Sequence, residues 1–233
     1  MKKIKFHFGE KTSKLLVTVA AGLLGTLLAF LSSLLTPLNP QVSFDFSHLA
    51  TFAIAITFGP LYGALAAAIA SIYPYINLAV FGIYGPFAGL AIILGKTMTG
   101  FFCGLLRGRM PTFLAINLSY IPESLFTLGF LQLMSMMLPA GTLTWKAIIE
   151  GVIIEGWVEV IMFSFIIDTV VRRKVIETAV LMLEIFIIMF LVHKEFIETL
   201  LILLLITFLT LVLFELVVPI LHKDKTGWPQ DPD

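Results

Sequence analysis

Charge is scarce in this chain and cysteine scarcer. Only 13% of its 233 residues are charged, lysines and arginines balance aspartates and glutamates at 15 each, and Cys103 is the single thiol. A soluble domain carries about 25% charged residues, so an ordinary water-exposed surface is excluded. The zero net charge leaves no basic face for nucleic acid. One thiol forms no intrachain disulfide, and His7, His48, His193 and His222 lie far apart without ligand spacing, so no metal site and no cofactor are expected. An H-E-x-x-H run, a His/Asp cluster and a nucleophile–base pair are all missing, which argues against an enzyme. Gly95-Lys96-Thr97 looks like the end of a phosphate-binding loop. However, the nearest upstream glycine is Gly89, one residue too far, and the run lies inside an apolar stretch rather than after a strand. The chain itself carries no ATPase.

What it has in abundance is hydrophobicity. Apolar residues make up 59% of the chain and mean hydropathy is +1.02, which together predict an all-α integral membrane protein embedded in a lipid bilayer. The first apolar run, Leu15 to Leu35, is too long for a signal core and no small-residue cleavage site follows it, so it reads as a retained helix. Further spans are expected at 81–106, 111–138, 147–171, 175–193 and 197–221.

The stretch 48–80 holds Gly59-Pro60 and reads either as one crossing or as two. The positive-inside rule separates these readings. Two crossings put every loop lysine and arginine on the cytoplasmic side except Lys146 and Lys194, whereas one crossing scatters them evenly. The expected layout is therefore a six-helix bundle over 1–174, a two-helix hairpin over 175–221 and a tail at 222–233, with both termini cytoplasmic. Helix 2, roughly 48–59, is too short to cross alone. The preceding loop, Ser32 to Ser47, is expected to cover its outer end, because irregular backbone at membrane depth must pack on protein or line a polar cavity.

Ionisable side chains inside spans are costly and usually face a partner or a cavity. Lys96 is the basic one, and Glu123, Glu155 and Glu159 are the acidic candidates. The cost of a buried charge predicts that Glu123 or Glu159 pairs with Lys96 and that at least one of the three touches a ligand. Trp157 lies too deep for an interfacial belt and either stacks on a planar ligand or packs. Ala21, Gly25 and Ala29 form a small-residue stripe on helix 1, which suits either internal packing or a partner helix. Gly100, Gly104 and Gly108 repeat the pattern.

Taken together, residues 10–174 resemble the S-component, the substrate-capturing membrane subunit of energy-coupling factor vitamin transporters. The resemblance rests on the Ala21/Gly25/Ala29 stripe, the loop ending Phe44-Asp45-Phe46-Ser47, the short helix 2, and the phrase Phe58-Gly59-Pro60-Leu61-Tyr62-Gly63-Ala64-Leu65. It implies a vitamin bound from outside, a gate around Asp45 and Ser47, and a pocket built by helices 4 to 6. It also implies a membrane scaffold subunit docked on Ala21, Gly25 and Ala29, two ATPase subunits, and a place in the cell membrane. The segment Asp45-Phe46-Ser47 is similar to riboflavin-type members, so riboflavin is the first ligand expected. The chain departs from the family in its last two helices, 175–221. The competing expectation is a secondary transporter in which buried carboxylates such as Glu123 and Glu159 carry protons, although no internal repeat or matched pair of broken helices supports it.

Overall fold

The computed structural model of the protein describes residues 10–34, 45–82, 85–136 and 156–171. All regular structure among them is helical. Three helical segments, Glu10–Leu34, Gly85–Leu106 and Thr112–Met134, are long and apolar enough to cross a membrane, and a bent pair, Pro60–Ala70 with Ile72–Val80, makes a fourth if it is taken as one span. The expected hairpin at 175–221 and the start of the 147–171 span lie outside the described residues, as do Glu155 and most of the loop before helix 2.

Helix α1 covers Glu10–Leu34, α2 Ser47–Phe58, and α3 Pro60–Ala70. The chain turns between α2 and α3 at Gly59, whose φ of 92° is one that a side-chain-bearing residue rarely adopts. Pro60 follows as the first residue of α3, where its missing N–H costs nothing. Over 48–80 two separate helices, α2 and α3, pack against each other, and α2 at Ser47–Phe58 is too short to be counted as a membrane span by itself.

The second of those helices does not run unbroken to residue 80. It bends by 41° between Ala70 and Ile72, and Pro74 is the cause. The proline has no N–H for the Ala70 carbonyl, and its ring crowds that carbonyl four residues upstream. The Ser71 hydroxyl also turns back to donate to the Ala67 carbonyl at 2.6 Å. Beyond the break come α4, Ile72–Tyr75, and one π turn, Ile76–Val80, closed by Phe81 N–H donating to the Ile76 carbonyl at 3.0 Å. Then follow α5 at Gly85–Ala88, α6 at Leu90–Leu106, α7 at Thr112–Ser135, and α8 at Gly156–Val171.

Helix α2 is the hub. Every residue from Ser47 to Thr57 is buried, and α1, α3, α6 and α8 all pack on it. A helix apolar around most of its circumference belongs at the centre of a bundle, where Phe52, Leu49, Ile54 and Ile56 fill space without exposure.

Small residues set the close crossings around this hub. Gly63 of α3 and Gly100 of α6 meet backbone to backbone, and a Cβ on either would overlap the other's carbonyl. Gly104 likewise lies against the Gly59–Pro60 peptide. This explains two of the three glycines in the Gly100, Gly104 and Gly108 repeat. Gly108, at φ 68°, instead serves the turn after α6 and has open space around it.

The stripe on α1 requires a correction. Ala21 and Ala29 are 0% and 4% exposed, and a Cβ on Gly25 would come within 2.8 Å of the Ala70 Cβ and 3.0 Å of the Ala50 Cβ. Ala21, Gly25 and Ala29 are therefore covered within the chain, with α2 and α3 against them, and the docking role implied for them fails on burial. Nearby, Thr26 donates to the Ile69 carbonyl at 2.7 Å, and Phe30 and Ser33 hold Tyr73 by an edge contact and a 2.6 Å hydrogen bond. Gly25→Leu is accordingly expected to destabilise the isolated chain, lowering its thermal midpoint in detergent. A midpoint equal to wild type would restore the stripe as a free surface.

Candidate functional site

The site forms where the chain enters α2. Phe46 begins the turn, and Ser47 N–H donates to the Asp45 Oδ1 at 2.9 Å, so the Asp45 side chain occupies one of the free amide groups at the helix start. The aspartate is then fixed from two further directions. Lys96 of α6 donates through Nζ to Asp45 Oδ2, forming an ion pair, and to the Ser47 hydroxyl at 2.5 Å. Glu159 of α8 accepts the Asp45 backbone N–H through Oε1 at 2.7 Å. Three distant parts of the sequence thus meet at one residue.

All of this lies inside the protein. Lys96 and Glu159 are each 4% exposed, and the Asp45 side chain is 17% exposed. Burying an ammonium is tolerable only with a charged partner and satisfied hydrogen bonds, and Asp45 with Ser47 supplies both.

The expected partnership of Lys96 with Glu123 or Glu159 is corrected by this geometry: its ion pair is with Asp45. The reason is spatial. Asp45, two residues before α2, reaches Lys96 of α6, while Glu159 accepts the Asp45 amide through Oε1. Glu123, buried on α7, accepts a hydrogen bond from the Thr99 hydroxyl. Thr99 is one turn along α6 from Lys96, and its hydroxyl also lies 3.3 Å from the Ser119 carbonyl. Gly95 makes room here, since a Cβ there would come within 3.1 Å of Glu123 Cγ and 2.9 Å of the Thr127 hydroxyl.

Asp45, Ser47, Lys96 and Glu159 are therefore joined in one hydrogen-bonded group, and Glu123 of α7 meets α6 one turn further along, at Thr99. Trp157 stands apart from that group: its indole meets the Tyr120 ring edge-on, with centroids 5.2 Å apart. Gly156 accommodates Tyr120, whose hydroxyl would overlap a Cβ at that position. The structure thus uses Trp157 to join α8 to α7.

Two further polar residues of the interior were not among the expected site residues, although His48 was considered as a metal ligand. His48 and Thr51 are 4% and 0% exposed, and neither His48 Nδ1 nor Thr51 Oγ1 has a hydrogen-bond partner among the described residues. The signal was present as spacing: Ser47, His48 and Thr51 recur at i, i+1 and i+4, putting three polar residues on one side of a helix whose one other polar residue is Thr57. Among the described residues no group of three His, Cys, Asp or Glu side chains is arranged to hold a metal ion.

Comparison with protein-family models, with curated proteins and with solved structures finds no match.

Proposed function

We propose that the chain is the solute-capturing membrane subunit of an ATP-driven importer of the energy-coupling factor class, with a small polar vitamin as cargo and riboflavin as the ligand to test first. The observation that carries this reading is the buried Lys96–Asp45 pair, which ties the segment leading into α2 to α6 and, through Glu159, to α8. Such a tie gathers charged and hydrogen-bonding groups inside an apolar bundle at the start of α2, the arrangement expected where ionisable side chains face a polar cavity. In this reading Asp45 and Ser47 close the site from outside, and Lys96, Glu123 and Glu159 line it. The chain lies in the cell membrane with both termini and the Arg107–Arg109 turn cytoplasmic. A membrane scaffold and two ATPases power the cycle, docking on a face other than the covered stripe of α1.

A second reading draws on Glu123. A buried carboxylate whose hydrogen bond comes from a neutral hydroxyl suits a proton carrier, as a secondary transporter requires. The two are separated by uptake of labelled riboflavin into cells that express the chain with a scaffold subunit and ATPases. Uptake that stops on ATP depletion and survives a proton ionophore supports the importer. Uptake by the chain alone that an ionophore abolishes favours the secondary transporter and contradicts the proposal.

A further inference from the structure

The polar groups left over at α2 extend the site inward. His48 and Thr51 follow Ser47 on the same side of the helix, with Thr51 one turn, about 6 Å, below the serine that Lys96 holds. Buried polar atoms in native proteins are nearly always paired, so each exception asks for a missing partner. Thr51 is a pointed exception. Thr57 in the same helix, like Thr18 and Thr97 elsewhere, turns its hydroxyl back onto the carbonyl four residues earlier. Thr51 has the same option in the Ser47 carbonyl and does not take it. Neither its hydroxyl nor the His48 ring nitrogen is met by any of the described residues.

We infer that His48 and Thr51 bind an uncharged hydrogen-bonding edge of the captured solute, one turn below the Lys96–Asp45 pair. The inference rests on the solute-capture reading and deepens it by naming the floor of the site and the chemistry it takes. The group is uncharged because the Lys96 ammonium already has its counter-ion in Asp45. A hydroxyl or amide edge, carrying both donor and acceptor, satisfies a threonine hydroxyl and an imidazole nitrogen together. The His48 ring is held against Phe52, nearly parallel at 5.6 Å between centroids, which fixes its plane for that contact.

The test uses the full chain purified in detergent. Small molecules are released by denaturation and quantified by mass spectrometry for wild type, Thr51→Val, His48→Phe and the double variant, and thermal midpoints are recorded for each. Valine keeps the shape of threonine and phenylalanine keeps the ring against Phe52. Each change removes a polar atom without a partner among the described residues, so the midpoint of the emptied protein should hold or rise. The solute retained should fall about two- to tenfold for each single variant and further for the double, as expected for loss of neutral hydrogen bonds. A solute retained equally by wild type and the double variant overturns the inference and leaves solute capture standing, with a buried water the partner of these atoms. A midpoint that falls marks the two side chains as structural and also overturns it. A wild type that releases no solute overturns solute capture and the inference together.

Discussion

Lys96→Met is expected to lower the stability of the protein by about 3–5 kcal/mol, the usual penalty for stripping one partner from a buried ion pair. The carboxylate left behind, Asp45, has a 17% exposed side chain and keeps, among the described residues, its hydrogen bond from Ser47 N–H. Asp45→Asn should cost a comparable amount by leaving the more deeply buried ammonium without a counter-ion. The double variant Lys96→Met with Asp45→Asn should recover most of the loss, because replacing both charges removes the desolvation penalty along with the attraction. Pairing Lys96→Met with Glu123→Gln or Glu159→Gln should not recover it, since the ion pair of Lys96 is with Asp45. The protein offers its own reporter: Cys103 is its single thiol and is buried, so a fluorogenic maleimide reacts as the bundle opens. Recovery by Glu123→Gln instead of Asp45→Asn would show that the pair is misassigned.

Gly63→Val should be nearly as damaging, at about 3 kcal/mol, the upper end of ordinary overpacking. The new side chain would meet the Gly100 carbonyl and the Ala55 backbone. Backbone cannot rotate aside as a side-chain tip does, so α3 must move off both α6 and the hub helix. Gly129→Ala is the matched control. Gly129 lies within α7 with open space where a Cβ would go, so alanine should be neutral or stabilise by about 0.5–1 kcal/mol. Thermal midpoints of the two variants, measured side by side, should move in opposite directions or differ by the full effect at Gly63. Equal midpoints would mean that α3 and α6 do not cross at these glycines.

The elements were legible where one physical cause dominates. Apolar length marks α1, α6 and α7, and Gly59-Pro60 marks the break between α2 and α3. The bend at Ala70 was less legible, because Pro74 ends the regular hydrogen bonding four residues before itself rather than at its own position. Among the site residues, Lys96 stands out from sequence as a charge in an apolar run. Its partner does not, because Asp45 precedes a helix and is brought to Lys96 only by the packing of α2 at the centre. The α1 stripe was legible as a close-approach surface but not as to what approaches. Gly25 serves equally well against Ala50 and Ala70 of the same chain or against another subunit, and spacing alone does not distinguish them.

The central claim is that the interior around Lys96 and Asp45 receives a solute. It is tested most directly by comparing small molecules released from purified wild type with those released from the Lys96→Met, Asp45→Asn double variant at matched folded concentration. The account predicts one solute per wild-type chain and retention at least tenfold lower in the stable double variant, in line with the 1.5–3 kcal/mol of a hydrogen bond to a charged group. An empty wild-type protein, or a double variant that holds the same solute as well as wild type does, would contradict it.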